Sequence, residues 1–293
     1  MASKKRGEKL AGLYHKGQKH IWDGRDYLVE CIDKFELKNK AKVTPKQRAA
    51  LENIFTIILT GELAAWKISS ALAIELEDNE ARLAATAQAH DEARHFYVMR
   101  DYLKYSNKNY EDQDISVESS DFLSYVMKSN HISKLLLGMQ LMVEPLALSL
   151  FRVIREKNID PVLSELLIMF ERDEARHVAL GTLCLPDILA SMSRVQKAEL
   201  CLWQFRGYMK QFKALYSLEE SFVALGIDAR SVYELARKNQ LHAIKLLSKE
   251  LGYNYPLVQT MMKVADIRYE LGTKAEKRSY ISRISRAYQR AIA

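Results

Sequence analysis

Asp91-Glu92-Ala93-Arg94-His95 recurs letter for letter as Asp173-Glu174-Ala175-Arg176-His177. In each copy Glu and His stand three apart, so both project from one face of a helix. Thirty residues before each of these glutamates stands another: Glu62 before Glu92, and Glu144 before Glu174. The sets Glu62/Glu92/His95 and Glu144/Glu174/His177 are therefore offset by 82 at every position.

Turn chemistry explains the spacing. Midway from Glu62 to Glu92 lies Glu77-Asp78-Asn79, a helix stop followed by an N-cap. Midway from Glu144 to Glu174 lies Asn158-Ile159-Asp160-Pro161, with Asp as N-cap and Pro at the first helical position. Residues fifteen before and fifteen after a hairpin turn lie level, roughly 22 Å from it at 1.5 Å per residue. Each helical hairpin thus brings a lone glutamate beside a Glu-x-x-His pair, and two packed hairpins make six side chains converge.

The rest of the chain is read as a row of helices. Apolar residues at three- and four-residue spacing predict helices near 16–36, 45–76, 79–106, 117–156 with a break near Asn130, 161–184, 193–217, 228–251, 255–271 and 274–291. Only 5 prolines and 11 glycines occur in 293 residues that are 48% hydrophobic and 28% charged, which favours helix over sheet. No Gly/Ser-rich linker divides residues 1–293, so one all-α domain is expected. Its four-helix core would span about 45–185, with N-terminal helices before it and a C-terminal helical extension over about 193–291.

Several classes are disfavoured. Cys31, Cys184 and Cys201 are scattered, without a CxxC pair, which argues against a disulfide framework or thiolate zinc site and suits a reducing cytoplasm. The start MASKKRGEKL is basic without an apolar run, and no run of 18 or so uninterrupted apolar residues suggests a membrane span. The net charge of +7 gathers at Lys4–Lys9 and at Lys274, Lys277, Arg278, Arg283, Arg286 and Arg290. These clusters are read as a solvated tail and a solvated helix face, with a docking surface for an acidic protein as the sharper alternative. No nucleic-acid motif accompanies the charge.

The six repeated side chains have apolar neighbours, such as Ile57-Ile58-Leu59 before Glu62, Leu141-Met142-Val143 before Glu144 and Leu166 to Phe170 before Glu174. For any single glutamate, an exposed helix face is the simpler reading. Four carboxylates forced together in an apolar interior would cost several kcal/mol each unless divalent cations cancelled their charge. Oxygen-rich ligation with one imidazole per metal suits iron or manganese better than zinc or copper.

With both Asp-Glu-x-Arg-His boxes, residues 45–185 resemble the ferritin-like di-iron carboxylate superfamily, whose relevant members are bacterial monooxygenases, acyl-carrier-protein desaturases and the ribonucleotide reductase small subunit. GMQLMVEPLALSLF and DEARHVALGTLCLPDIL resemble segments of bacterial ferritin-like oxygenase homologues. The resemblance implies a ferritin-like four-helix bundle holding two iron ions, with manganese as an alternative. Glu62, Glu92 and His95 would hold one ion and Glu144, Glu174 and His177 the other, with Glu92 and Glu174 bridging. Asp91 and Asp173, one turn before their histidines, would accept the far ring N–H, and Arg94 and Arg176 would pair with them.

Departures from the pattern narrow the activity. Met99 stands where the radical-forming reductase subunits usually keep a tyrosine, which disfavours ribonucleotide reduction; Tyr97 and Tyr102 lie elsewhere. Ala147 and Leu148 stand where many oxygenases place a threonine, with Ser149 next. Glu171, on the ligand face, is a candidate for an access path or for an arginine partner. Gln140 is a candidate hydrogen-bond donor to a ligand. Ala65, Ser69, Gly138, Ala147 and Gly181 would leave room for substrate or permit close helix packing.

The resemblance implies an oxidoreductase that uses O2 and external electrons to hydroxylate, desaturate or N-oxidise a small-molecule or carrier-bound organic substrate. A ferredoxin or flavin reductase would supply electrons, and a homodimer is expected. The alternatives are a ferritin-like ferroxidase or dimanganese catalase, and a scaffold whose metals only hold the bundle together.

Overall fold

The computed structural model describes residues 2–36, 43–108, 110, 115–117, 120–129, 131–251, 255–273 and 279–292. The two hairpins form where capping chemistry places them. Helix α3 (Pro45–Glu75) begins on a reciprocal cap, with Thr44 accepting from the Gln47 amide while the Gln47 side chain accepts from the Thr44 amide. Helix α4 (Asn79–Ser106) starts on Asp78, whose carboxylate accepts from the amides of Glu80 and Ala81. In the second hairpin α7 (Glu144–Lys157) stops at Asn158, in the left-handed conformation at φ 47°. Asp160 then caps α8 (Pro161–Ser191), and Tyr102 of α4 donates to the same carboxylate at 3.0 Å.

Between the hairpins lie α5 (Asp121–Met127) and α6 (Ile132–Gly138); the expected break at Asn130 falls outside the described residues. α6 passes into a wide turn of π helix, Met139–Val143, in which the Glu144 amide donates to the Met139 carbonyl five residues back. The physical cause follows at once. Pro145 has no amide hydrogen, and its ring crowds the carbonyl four residues earlier, so the helical ladder must open here.

At the N-terminus the structure corrects the sequence. The predicted helix 16–36 is two helices, α1 (Ala2–Lys19) and α2 (Gly24–Glu36). They part because the Asp23 carboxylate accepts from the amides of Arg25 and Asp26, capping α2. Residue 24 must be glycine, since a Cβ there would lie 2.1 Å from Val98 Cγ2 of α4. Lys4–Lys9 is not a tail but the first turns of α1, which packs on α4 and α8, with Lys4, Lys5 and Lys9 exposed to solvent as expected. Arg6 pairs there with Asp78, at 2.9 Å, and with Asp187.

The C-terminal extension comprises α9 (Arg194–Ser217), α10 (Glu219–Ala224), α11 (Ala229–Leu251), α12 (Tyr255–Gly272) and α13 (Tyr280–Ile292). Helix α11 packs on α7, α8 and the π turn, while α9 covers α5 and α6. Of the basic C-terminal cluster, Lys274, Lys277 and Arg278 lie outside the described residues. Arg290 is not simply solvated, because it pairs with Glu234 and Glu270. Two stretches, Pro45–Glu75 and Ile132–Lys157, are long and apolar enough to cross a membrane by length and composition alone, although Glu62 and Glu144 interrupt their apolar runs, as expected from the sequence. Half and two thirds of their most apolar windows are buried, and they carry Glu62 and Glu144 into the bundle.

Candidate metal centre

The six repeated side chains meet in the middle of the bundle formed by α3, α4, α7 and α8, and none is more than 4% exposed. Two overlapping groups have ligating atoms within 4.8 Å of one another: Glu62, Glu92, His95 and Glu174, and Glu92, Glu144, Glu174 and His177. Glu92 and Glu174 belong to both. His95 Nδ1 lies 3.4 Å from Glu62, 3.6 Å from Glu92 and 3.2 Å from Glu174. His177 Nδ1 lies 2.9 Å from Glu92 and from Glu174, and 3.9 Å from Glu144. Each imidazole therefore turns Nδ1 towards three carboxylates.

The opposite ring nitrogens show how the site is wired. His95 Nε2 faces Asp173 at 3.3 Å and His177 Nε2 faces Asp91 at 3.4 Å. This corrects the expectation that each aspartate serves the histidine of its own pentapeptide. Helices α4 and α8 run antiparallel, so residue 91 lies level with 177 and residue 95 with 173. An aspartate one turn before its own histidine consequently reaches across the helix pair to the other one. An aspartate facing Nε2 keeps the proton there and leaves Nδ1 free as a donor atom.

Arg94 and Arg176 close this arrangement into a ring. Arg94 donates to Asp91 at 2.5 Å and to Asp173 at 2.9 Å; Arg176 donates to Asp91 at 2.7 Å and to Asp173 at 2.8 Å. Burial pushes the Asp91 carboxyl up, but its contact with His177 and the Arg94 charge outweigh that and bring it down to about 2. Burial also opposes ionisation of Asp173, yet His95, Arg176 and the Trp22 N–H hold it well below the usual carboxylate range.

Without metal the centre balances its charge with protons. Burial, reinforced by neighbouring carboxylates, raises Glu62 and Glu144 well above the ordinary range. Burial disfavours both imidazolium ions, but the surrounding carboxylates prevail and raise His95 and His177 well above theirs. Even so, Glu62 Oε2, Glu92 Oε2 and His95 Nδ1 have no partner in hydrogen-bond geometry. Buried polar atoms left facing one another are costly, and divalent cations between them would satisfy all three. The donor set, four carboxylates and two imidazoles, fits a dinuclear iron or manganese centre.

Three side chains that complete the site were not singled out from the sequence. Gln88, one turn before Glu92, donates to Glu92 at 3.0 Å and to Glu144 at 2.9 Å, tying the two ligand sets together. Its place four residues before a ligand was a usable signal. Trp22, between α1 and α2, donates to Asp173 at 2.8 Å across 151 residues, and no local pattern announces it. Phe170 stacks on His95, with ring centroids 4.2 Å apart and planes at 19°, holding the imidazole plane.

The remaining candidates divide. Ala65 and Ala147 line an apolar cavity, open to solvent on one side and walled also by Ile57, Gly61, Phe122, Val143 and Leu150, which reaches Glu62 and Glu144. Leu148 does not line it; Leu146 does. Gly181 serves packing rather than substrate room, because a Cβ there would lie 2.3 Å from Gln140 Cβ. Gln140 reaches the ligands through Gln88, to which its amide donates at 2.9 Å. Glu171 is the arginine partner, held by Arg155 at 2.6 Å. Ser149 donates to the Pro145 carbonyl at 2.6 Å, and the Tyr97 and Tyr102 hydroxyls engage Arg25 and Asp160.

An all-helical bundle with paired glutamates and Glu-x-x-His pairs facing inward is the architecture of the ferritin-like di-iron carboxylate proteins. No protein-family model and no curated protein matches this chain. Among the solved structures that align with most of it are two variants of an R2-like ligand-binding oxidase with an aerobically reconstituted Mn/Fe cofactor. One is 17% identical, with 92% of this chain and 94% of the other covered and a TM-score of 0.49. The second is 14% identical, covers 96% and 93%, and has a TM-score of 0.44. At these values the fold and the centre rest on this chain's own residues.

Proposed function

We propose that this chain is an O2-dependent non-haem di-iron oxidoreductase of the cytoplasm that hydroxylates, desaturates or N-oxidises an apolar organic molecule. The observation that carries the reading is the apolar cavity ending on Glu62 and Glu144, at the dinuclear centre. Glu62, Glu92 and His95 would hold one ion and Glu144, Glu174 and His177 the other, with Glu92 and Glu174 shared. When bound, the ions supply the binding and reduction of O2. The chain's own residues do the rest. Asp173 and Asp91 orient the imidazoles, the Arg94/Arg176 ring balances the aspartates, and Gln88 fixes a carboxylate of each set.

The cavity shapes substrate access. Its apolar wall would hold an apolar substrate beside Glu62 and Glu144. A second, more open space, rimmed by Thr60, Asp121, Lys210, Lys213 and Ser217, shares Ile57, Ser120, Phe122 and Ala214 with it. This vestibule would admit a free small molecule or the arm of a carrier-bound one. Electrons would come from a separate ferredoxin or flavin reductase, and the working unit would be a homodimer. Ferroxidase or dimanganese catalase activity needs no such cavity, and a structural metal site needs neither cavity nor buried carboxylates.

The test is to load the protein anaerobically with iron and expose it to O2 with excess Fe(II). Oxidation should stop after the bound iron, and straight-chain or aromatic hydrocarbons should be oxidised once a reductant is supplied. Sustained oxidation of excess Fe(II), with no oxidised hydrocarbon, would select the ferroxidase instead.

A further inference from the structure

Two side chains of the C-terminal extension bond to the backbone of the π turn that leads into Glu144. Gln211 of α9 donates from Nε2 to the Met142 carbonyl at 2.9 Å, and Gln240 of α11 donates to the same oxygen at 3.2 Å. Gln240 also donates to Gln211 Oε1 at 3.0 Å, so the two amides form one unit. Both are only 3% exposed. Met142 lies two residues before Glu144, inside the π turn that Pro145 forces open. Gly207 of α9 lies against the Met142 side chain, the position of a Cβ there being 2.9 Å from Met142 Cε.

We propose that Gln211 and Gln240 are positioning residues for Glu144: together they hold the π turn in the register that aims this carboxylate at the metal centre. The proposal rests on the reading of Glu144 as a metal ligand. An opened ladder has fewer internal bonds to define its shape, and both side chains converge on one carbonyl at the residue pair before the ligand. Apolar side chains would fill the same space without placing two buried amides, which need hydrogen-bond partners, on that oxygen. Gln211 also lines the cavity, alongside Glu144 itself. Glu62 has no such device, because α3 is an uninterrupted α-helix from Pro45 to Glu75.

This asymmetry gives the test. Gln211→Met and Gln240→Met keep an unbranched side chain of similar length but remove the donors. Mn(II) alone is titrated into the metal-free full chain and followed by electron paramagnetic resonance, with circular dichroism as a fold control. Wild type should take up two ions as an exchange-coupled pair. Each variant should bind one ion as before and the other about 10- to 100-fold more weakly, so that a mononuclear signal replaces the coupled one. In a Glu144→Ala background the glutamine substitutions should have no further effect on Mn(II) uptake.

Unchanged uptake of both ions, or equal weakening of both, would overturn the proposal. Should a methionine variant fail to fold, Gln240→Asn keeps the amide but withdraws it from Met142, and the same loss of one ion is required of it. A wild type that binds no Mn(II) would remove the metal reading itself. Two ions in wild type and in every variant would remove only the clamp.

Discussion

Asp173→Asn is expected to weaken the ion held by His95 rather than the one held by His177, although Asp173 and His177 share a helix. The substitution keeps shape and one acceptor oxygen but removes the charge facing His95 Nε2 at 3.3 Å. Loss of such a partner lowers metal affinity about 10- to 100-fold, or roughly 1.4–2.8 kcal/mol. Stability falls as well. Asp173 accepts from Trp22 at 2.8 Å, Arg94 at 2.9 Å and Arg176 at 2.8 Å, and the side chains of Arg94 and Arg176 are 7% and 11% exposed. Removing one partner of a buried pair costs about 3–5 kcal/mol, and because Asp91 still faces both arginines the low end, about 3 kcal/mol, applies. At about 2–3 °C per kcal/mol for a chain of this size, the metal-free protein should melt roughly 6–9 °C lower. The assay isolates each ion. In a His177→Ala chain the substitution should weaken uptake of the remaining ion by the stated factor, and in a His95→Ala chain by less than about threefold. The opposite ranking, or equal losses in both backgrounds, would refute the crossed pairing.

Metal uptake should release protons, because Glu62, Glu144, His95 and His177 are all raised and hold protons in the metal-free centre. Calorimetric titration in buffers of different ionisation enthalpy should show about two to four protons expelled per centre, and affinity should rise with pH; a pH-independent affinity would contradict this. Gly61 lines the cavity, and a Cβ there meets nothing within 4 Å. Gly61→Leu should therefore fold at least as stably as wild type while losing hydrocarbon oxidation, whereas Gly181→Ala should cost about 1–3 kcal/mol through its clash with Gln140. Thermal melts and turnover assays on the two variants separate these outcomes. Asp78→Ala should cost about 1 kcal/mol by uncapping α4. Burial alone would raise the Asp78 carboxyl, but the Ala81 amide and Arg6 lower it overall. Its contribution is thus present above the unfolded value and lost as pH falls through the folded one, so wild type and variant should converge in stability in acid.

What could be read in the sequence was local or periodic. The hairpin turns were legible because Asp78 and Asp160-Pro161 carry their capping chemistry within four residues, and the level of the four glutamates followed from counting residues to those turns. The pairing of Asp173 with His95 was not legible, because it depends on the relative direction of α4 and α8, which spacing along one helix does not encode. Trp22 was hidden for the same reason: its partner is 151 residues away. The break at 20–23 was missed because apolar periodicity runs through it, while the cap on Asp23 and the close approach of Gly24 to Val98 are tertiary facts. Pro145 was a usable signal for a disturbed helix beside Glu144, but the helix expected over 117–156 runs straight through it, and nothing local shows that two glutamines from the C-terminal helices close on that turn.

The most direct measurement is the metal content of the anaerobically loaded protein and of its Glu92→Ala/Glu174→Ala variant, by elemental analysis. Six side chains in two overlapping groups, sharing these two glutamates, predict about two irons per wild-type chain and the loss of at least one in the variant. A variant that still carries its full complement of iron, or a wild type that carries none, would contradict the dinuclear centre.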